Sequence, residues 1–160
     1  MKAIFSFFLL LFSISYSGCV TLNPVKTTRN GEIKSYTYFV VPQTNSLSSG
    51  TGMTIGTTYV SSNKSVNPSD VISGVLSKNG LIRLPELKPE LAKQTVLVNY
   101  GESGKRSTGL GGYTIEVTIQ FVDAEANKLI SSCTAEGQGE TEADDIRMAI
   151  DRCLSSLIAK

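Results

Sequence analysis

Cys133 and Cys153 are the residues of this 160-residue chain whose type and spacing best support a covalent event. The first lies in "LISSCTAEG", which reads as a strand, and the second in "TEADDIRMAIDRCLSSLI", which reads as a helix. Both fall on faces assigned to one core, so a strand-to-helix disulfide is expected. Closing a loop of about 20 residues is worth ~3 kcal/mol in the chain-entropy model. Two buried free thiols packing as small apolar groups is the other reading. Carboxylates offer a second route to chemistry. Glu116 and Glu136 are expected to oppose one another on the wet face of a sheet, where they could share acid/base work or hold a cation; solvated face charges are the commoner outcome.

The templates for catalysis mostly fail. The chain has no histidine, which removes the usual general base, the Ser-His and Cys-His nucleophile pairs and the commonest zinc ligand. In "NYGESGKRS", Asn99 stands where a phosphate loop has its first glycine and Arg106 where it has Ser or Thr, and a strand follows instead of a helix. "GTGMTIG" misses the dinucleotide spacing by one residue. Ser61 and Lys64 match Ser-x-x-Lys, but in a loop-like stretch without the partner motifs of β-lactamase-like enzymes. The acids of "ETEADD" suit a helix N-terminus better than a metal. The sequence therefore implies no cofactor, no metal and no enzymatic activity.

Binding is better served. "GESGKRSTGLGG" is expected to place Lys105 and Arg106 on a flexible link between strands, and the Ser/Thr/Gly-rich stretch 43–66 contributes Tyr59. Loops on a rigid sheet often carry recognition. For a glycan or another small ligand, Tyr36, Tyr38 and Tyr59 are the stacking candidates. Nucleic acid is not an expected partner. The whole chain carries 15 Lys and Arg against 14 Asp and Glu, and losing Lys2 with an export leader balances them at 14 each, without the basic footprint such binding needs.

The leader is residues 1–18. Lys2 supplies a positive start and "AIFSFFLLLFSI" an apolar run of twelve residues, too short to span a bilayer as a helix and right for an export signal. Ser17 and Gly18 precede Cys19 in a pattern that resembles the lipobox of bacterial lipoproteins, with Tyr16 in place of the commonest leucine. The resemblance implies cleavage before Cys19 and acylation of that cysteine, the chain's contact with the membrane. Val20 is not the aspartate of an inner-membrane retention signal, and no acidic run follows. The expected address is therefore the outer membrane, facing the periplasm. Residues 19–34 read as a lipid-anchored tether and 35–160 as one domain.

The elements must then position these residues. "SYTYFVVP" (35–42) reads as the first strand, and 43–66 as either a floppy hairpin or a loop ordered on binding. In "NPSDVISGVLSKNG", Asn67 caps a helix, Pro68 opens it, Val71, Ile72, Val75 and Leu76 form its apolar stripe, and Asn79-Gly80 stops it. Strands follow at 81–85 and 95–100, with a turn near 89–93. "YTIEVTIQFV" (113–122) alternates without a fault, and "LISSCTAEG" returns after a turn in which Asn127 suits a left-handed conformation. Setting Ala124 opposite Lys128 pairs Ile119 with Cys133, Val117 with Ala135 and Glu116 with Glu136. Thr141 caps the last helix, whose buried stripe is Ile146, Ala149, Ile150, Cys153, Leu154 and Leu157.

This order predicts an α+β fold: a single mixed or antiparallel sheet with two main helices packed on one face. Through "VNPSDVISGVLSKNG", "NYGESGKRSTGLGGYTIEVTIQFVD" and "SSCTAEGQGETEADDIRMAIDRCL", residues 36–158 are similar to a group of small uncharacterised Bacteroidetes lipoproteins. The element order resembles the TolB amino-terminal domain and related envelope lipoproteins. These resemblances imply a lipid-anchored, non-enzymatic envelope protein that recognises another envelope component or helps to assemble it. The alternative is a periplasmic lipoprotein that binds a small ligand or glycan.

Overall fold

The computed structural model describes residues 21–55, 58–109 and 112–158, with the side chains of 50–63 left aside. The fold is α+β: a mixed six-stranded sheet, a separate two-stranded ribbon and two main helices. The strands are β1 (Lys26–Arg29), β2 (Tyr38–Val40), β3 (Leu47–Ile55), β4 (Thr58–Val66), β5 (Ile82–Arg83), β6 (Thr95–Gly109), β7 (Gly112–Asp123) and β8 (Leu129–Gly137). The helices are α1 (Pro68–Lys78) and α2 (Glu142–Ile158). The main sheet runs β1-β8-β7-β6-β2-β5, and β3 pairs with β4. Strand β2 is parallel to both β5 and β6, and the other pairings are antiparallel.

The faultless alternation of β7 fixes the layering. Ile115, Val117, Ile119 and Phe121 are fully buried, while Gln120 on the opposite face is exposed, because successive side chains of a strand point to opposite faces. The expected register holds from Ile115 to Phe121, with Ile119 paired to Cys133, Val117 to Ala135 and Glu116 to Glu136, but a shift between Phe121 and Val122 pairs Val122 with Leu129 and not with the Ile130 that Ala124 opposite Lys128 would require. Helix α2 lies on this apolar face and buries all six residues of its stripe, from Ile146 to Leu157. Thr141 caps it, its Oγ1 accepting from the Asp144 N–H. Helix α1 packs beside α2 through Ile72 and Leu76. Gly80 ends α1 at φ 92° and Asn127 turns the β7–β8 hairpin at φ 52°, as their sequence contexts predict.

Asn67 starts α1 with more than a simple cap. Its Oδ1 accepts from the Ser69 N–H at 3.1 Å and from the Ser69 and Thr44 hydroxyls at 2.8 and 2.7 Å. Asn67→Ala therefore leaves the Ser69 N–H with Thr44 Oγ1 alone, at 3.0 Å, and removes the acceptor of the Ser69 and Thr44 hydroxyls. An expected loss of ~1 to 2 kcal/mol would appear in denaturant unfolding as a lower midpoint at unchanged slope.

One expectation narrows and two change. Of the two readings of 43–66 the hairpin is the one found, with β3 and β4 paired antiparallel from Leu47 with Val66 to Ile55 with Thr58, and the loop reading falls away. The inner end of this ribbon is tied to α2: Ser49 Oγ accepts from the Ala143 N–H, and Lys64 reaches Asp144 at 2.9 Å and Glu140 at 3.3 Å. The first predicted strand shrinks to Tyr38–Val40, because residues 33–35 form a single 3-10 turn. The segment read as a tether supplies β1, which pairs with β8 from Lys26–Thr134 to Arg29–Ser131. The sheet thus begins before residue 35.

Candidate functional site

Lys105 and Arg106 do not sit on a flexible link. They belong to β6, which continues through Gly109 because the strong strand β7 offers it a partner along its whole length. Neighbours along a strand face opposite ways, so the two cations serve different places. Lys105 lies on the helix side, where its Nζ donates to Glu142 Oε1 at 2.9 Å and sits 5.0 Å from the centre of the Tyr113 ring. Arg106 faces the other way.

A bulge at Ser103 decides this. Between Glu102, paired with Val117, and Gly104, paired with Glu116, β6 carries one extra residue. Val98, Tyr100 and Glu102 share the side that pairs with Phe121, Ile119 and Val117; unbroken alternation would put Arg106 there too. The extra residue flips the phase and delivers Arg106 opposite Thr114, onto the face that carries Glu116 and Glu136.

On that face Arg106 grips Glu136 with two nearly parallel bonds, Nε to Oε1 at 2.8 Å and Nη2 to Oε2 at 2.7 Å. The fork geometry is specific to arginine. Glu136 is only 3% exposed, so its charge needs these donors. Its remaining lone pairs go to the start of the chain: the Asn23 N–H donates to Oε2 at 2.9 Å and Asn23 Nδ2 to Oε1 at 2.7 Å. Arg106 Nη2 also reaches the Thr21 carbonyl at 3.3 Å. From α2, Arg152 donates to the Asn23 carbonyl at 2.9 Å and to the Glu136 carbonyl. Glu136, Arg106 and Arg152 together clamp residues 21–23 to the domain.

The two carboxylates expected to oppose one another do so, with different fates. The Arg106 guanidinium, and secondarily Asn23, holds the Glu136 carboxyl at about 2 against the burial that pushes it up. It is a fixed anion and has no proton to give near neutrality. Glu116 accepts from the Ser103 hydroxyl at 2.8 Å. Among the described residues no group of three or more acidic or thiol side chains is placed to hold a metal.

Arg106→Ala leaves Glu136 buried with Asn23 as its side-chain-directed partner. The Arg106 side chain is 41% exposed, so water screens the pair and the expected loss is well short of that for a fully buried pair broken on one side. Because the folded-state carboxyl sits near 2, below its ordinary 4.5, its contribution is complete above about pH 4.5 and is lost as pH falls towards 2. The stability gap between wild type and Glu136→Gln, followed by chemical denaturation, should close across that window. A gap that stays constant with pH sinks the assignment.

The other sequence candidates are dispersed. Tyr36 donates to Asp123 Oδ2 at 2.6 Å, and its hydroxyl is pushed up to about 12 by burial and by that carboxylate. Tyr38 lies in β2. Tyr59 pairs with Thr54 in the ribbon, but its side chain, like Cys19 and residues 1–18, lies outside what is described. Lys64 of the Ser-x-x-Lys match is committed to the α2 N-terminus. Cys133 and Cys153 are joined by a disulfide, with their Cα atoms 5.5 Å apart.

Sequence reasoning passed over Asn23, Arg152 and the bulge. Only the bare pairing of Glu136 with a face-mate was available, since the clamp assembles from residues up to 129 apart in sequence.

No protein-family model matches the chain, and no curated protein does. Among solved structures, a PelC point variant from Paraburkholderia phytofirmans, a dodecamer, is similar to it with a TM-score of 0.52 at 16% identity, over 86% of this chain and all of that one. A second PelC dodecamer from the same organism gives a TM-score of 0.49 at 14% identity, over 86% of this chain and 98% of the other. At this identity the first likeness establishes a shared fold, and the chain has the fold of a PelC subunit.

Proposed function

We propose that this protein is a lipid-anchored component of the cell envelope, acylated on Cys19 at the periplasmic face of the outer membrane, that recognises another envelope component or helps to assemble it without catalysing a reaction. The observation that carries the reading is the clamp on Asn23. Asn23 follows Cys19 by four residues, a reach of at most ~14 Å for extended chain. An acylated Cys19 then holds a rigid domain against the bilayer surface, with its orientation limited by a short leash. Acyl chains add ~0.8 kcal/mol per buried methylene, which is ample to retain the domain when more than one is attached. No helix among the described residues is long and apolar enough to cross a membrane.

The fold shared with a dodecameric PelC supports assembly as the mode of action, with copies of this chain as one component to look for. The test is the intact mass of the protein extracted from membranes, followed by chemical cross-linking in cells. A mass fitting a chain that begins at acylated Cys19, with cross-linked products containing a second envelope protein or further copies, supports the reading. An unmodified chain cut elsewhere, or a monomer without cross-links, overturns it.

A further inference from the structure

The chain contains two Asn-Gly steps, Asn30-Gly31 just after β1 and Asn79-Gly80 at the end of α1. At such a step the second residue has no side chain to keep its backbone nitrogen away from the asparagine amide, and its backbone turns freely. Both asparagines are exposed, and Gly31 and Asn79 line the same open pocket of about 480 Å³, so water reaches both steps. What separates them is the hold on the glycine N–H, which must be freed before its nitrogen can attack. Gly80 donates to the Ser77 carbonyl at 3.0 Å, and Leu81 beside it donates to the Leu76 carbonyl and is only 7% exposed. Freeing Gly80 therefore unwinds the last turn of α1 and draws Leu81 from the core. Gly31 and Asn30 share a single acceptor, the Ile130 carbonyl, at 3.1 and 2.7 Å, so one local opening releases the nitrogen. The residues on either side of Gly31, Asn30 and Glu32, are exposed, and the step follows an edge strand of four exposed residues, the kind of place where local opening costs least. The amides differ in the same sense: Asn30 Nδ2 donates to the Leu129 carbonyl at 3.2 Å, Asn79 Nδ2 to the Val75 carbonyl at 2.9 Å.

We propose that Asn30 is a site of spontaneous covalent modification. The Gly31 nitrogen attacks the Asn30 side-chain carbonyl carbon, the new C–N bond closes a succinimide ring, and the side-chain nitrogen leaves as ammonia, carrying off the proton that Gly31 gives up. Water then opens the ring at one carbonyl or the other and leaves aspartate or isoaspartate at position 30. Either product puts a carboxylate where an amide donates to the Leu129 carbonyl. Isoaspartate also routes the main chain through the side-chain methylene, so the two N–H groups no longer reach the Ile130 carbonyl together. The end of β1 is thereby released from β8. The reaction needs neither the membrane anchor nor assembly.

The purified full chain is aged in warm, mildly alkaline buffer, and peptides carrying each step are mapped by mass spectrometry with chromatographic separation of aspartyl and isoaspartyl forms. In the folded protein, conversion at Asn30 should run about tenfold faster than at Asn79, the factor that re-exposing one buried leucine imposes on local opening. In concentrated denaturant with reductant the two rates should become nearly equal, both steps being Asn-Gly after a basic residue. Gly31→Ala, whose added Cβ meets only the Ile130 Cγ2 at 3.2 Å, should suppress conversion at Asn30 and leave Asn79 unchanged. Aged protein should be cut by trypsin after Lys26 about fivefold faster than fresh protein, the worth of one lost net hydrogen bond. No conversion at Asn30, conversion at Asn79 that matches or exceeds it in the folded chain, or a ratio that survives denaturation overturns the proposal, and unchanged cleavage after Lys26 overturns the release of β1.

Discussion

Gly137→Ala should destabilise the protein by about 3 to 4 kcal/mol, the upper end of what overpacking costs. Gly137 ends β8 where α2 crosses it, and a Cβ there would run into the Asp145 carbonyl oxygen and lie 2.7 Å from the Ala149 N. Both atoms are helix backbone. Neither can swing aside as a side chain would, so relief requires the whole first half of α2 to lift from the sheet. That lift would open the packing of Ile146 and Ala149, both fully buried, and pull Asp145 from the Gly139 N–H that it caps. Gly112→Ala is the control: its added Cβ meets chiefly the Thr108 Oγ1, a side-chain atom free to rotate, so under 1 kcal/mol is expected there. Thermal and denaturant unfolding of the two variants side by side makes the comparison. Equal effects would mean that α2 does not approach β8 this closely.

The same helix and strand show how far the sequence can be read. The α2 stripe, the β7 alternation and the β7–β8 register were legible because each is periodic over many residues and a one-residue slip would turn every apolar side chain to water. The cap at Thr141 and the left-handed Asn127 were legible because their chemistry is local. Elements whose stability is borrowed were not. Ser, Thr and Gly dominate β3 and β4, and Gly, Lys and Ser the outer half of β6; in isolation such residues favour turns, and pairing with a partner strand overrides that preference. β1 is four exposed residues, Lys26 to Arg29, without alternation, and only the open edge of β8 makes them a strand.

The candidate site was legible in one half. Glu136 was placed correctly opposite Glu116, since register alone determines that. The role of Glu136 was not legible because the Ser103 bulge brings Arg106 to its face, and a bulge in a Gly/Ser-rich strand leaves no periodic trace. Glu136 is neither the solvated face charge nor the acid/base partner that the sequence offered: it is a buried structural anion that fastens residues 21–23. Residues 21–23 are thereby part of the folded body and not a tether.

Replacing Cys133 and Cys153 together by alanine should cost about 3 kcal/mol from the lost cross-link, whose sequence separation is 20. Both residues are essentially unexposed, so the missing sulfur atoms add to this through lost packing. The bond's position sets the consequence. It joins the middle of β8, opposite Ile119, to the fourth turn of α2, the two elements that also supply Glu136 and Arg152 to the clamp. Reduction should therefore lower the Tm of the wild type and, by loosening α2 against β8, speed proteolysis near Asn23, while leaving the double-alanine variant unchanged. Thiol alkylation under denaturing, non-reducing conditions provides the direct reading: neither Cys133 nor Cys153 should react. If both react, and reductant does not move the Tm, packing alone holds strand and helix together. With the bond in place the fold reaches full stability only after oxidation, as in compartments where disulfides persist, and protein made in a reducing cytosol should gain those degrees of Tm on oxidation in vitro.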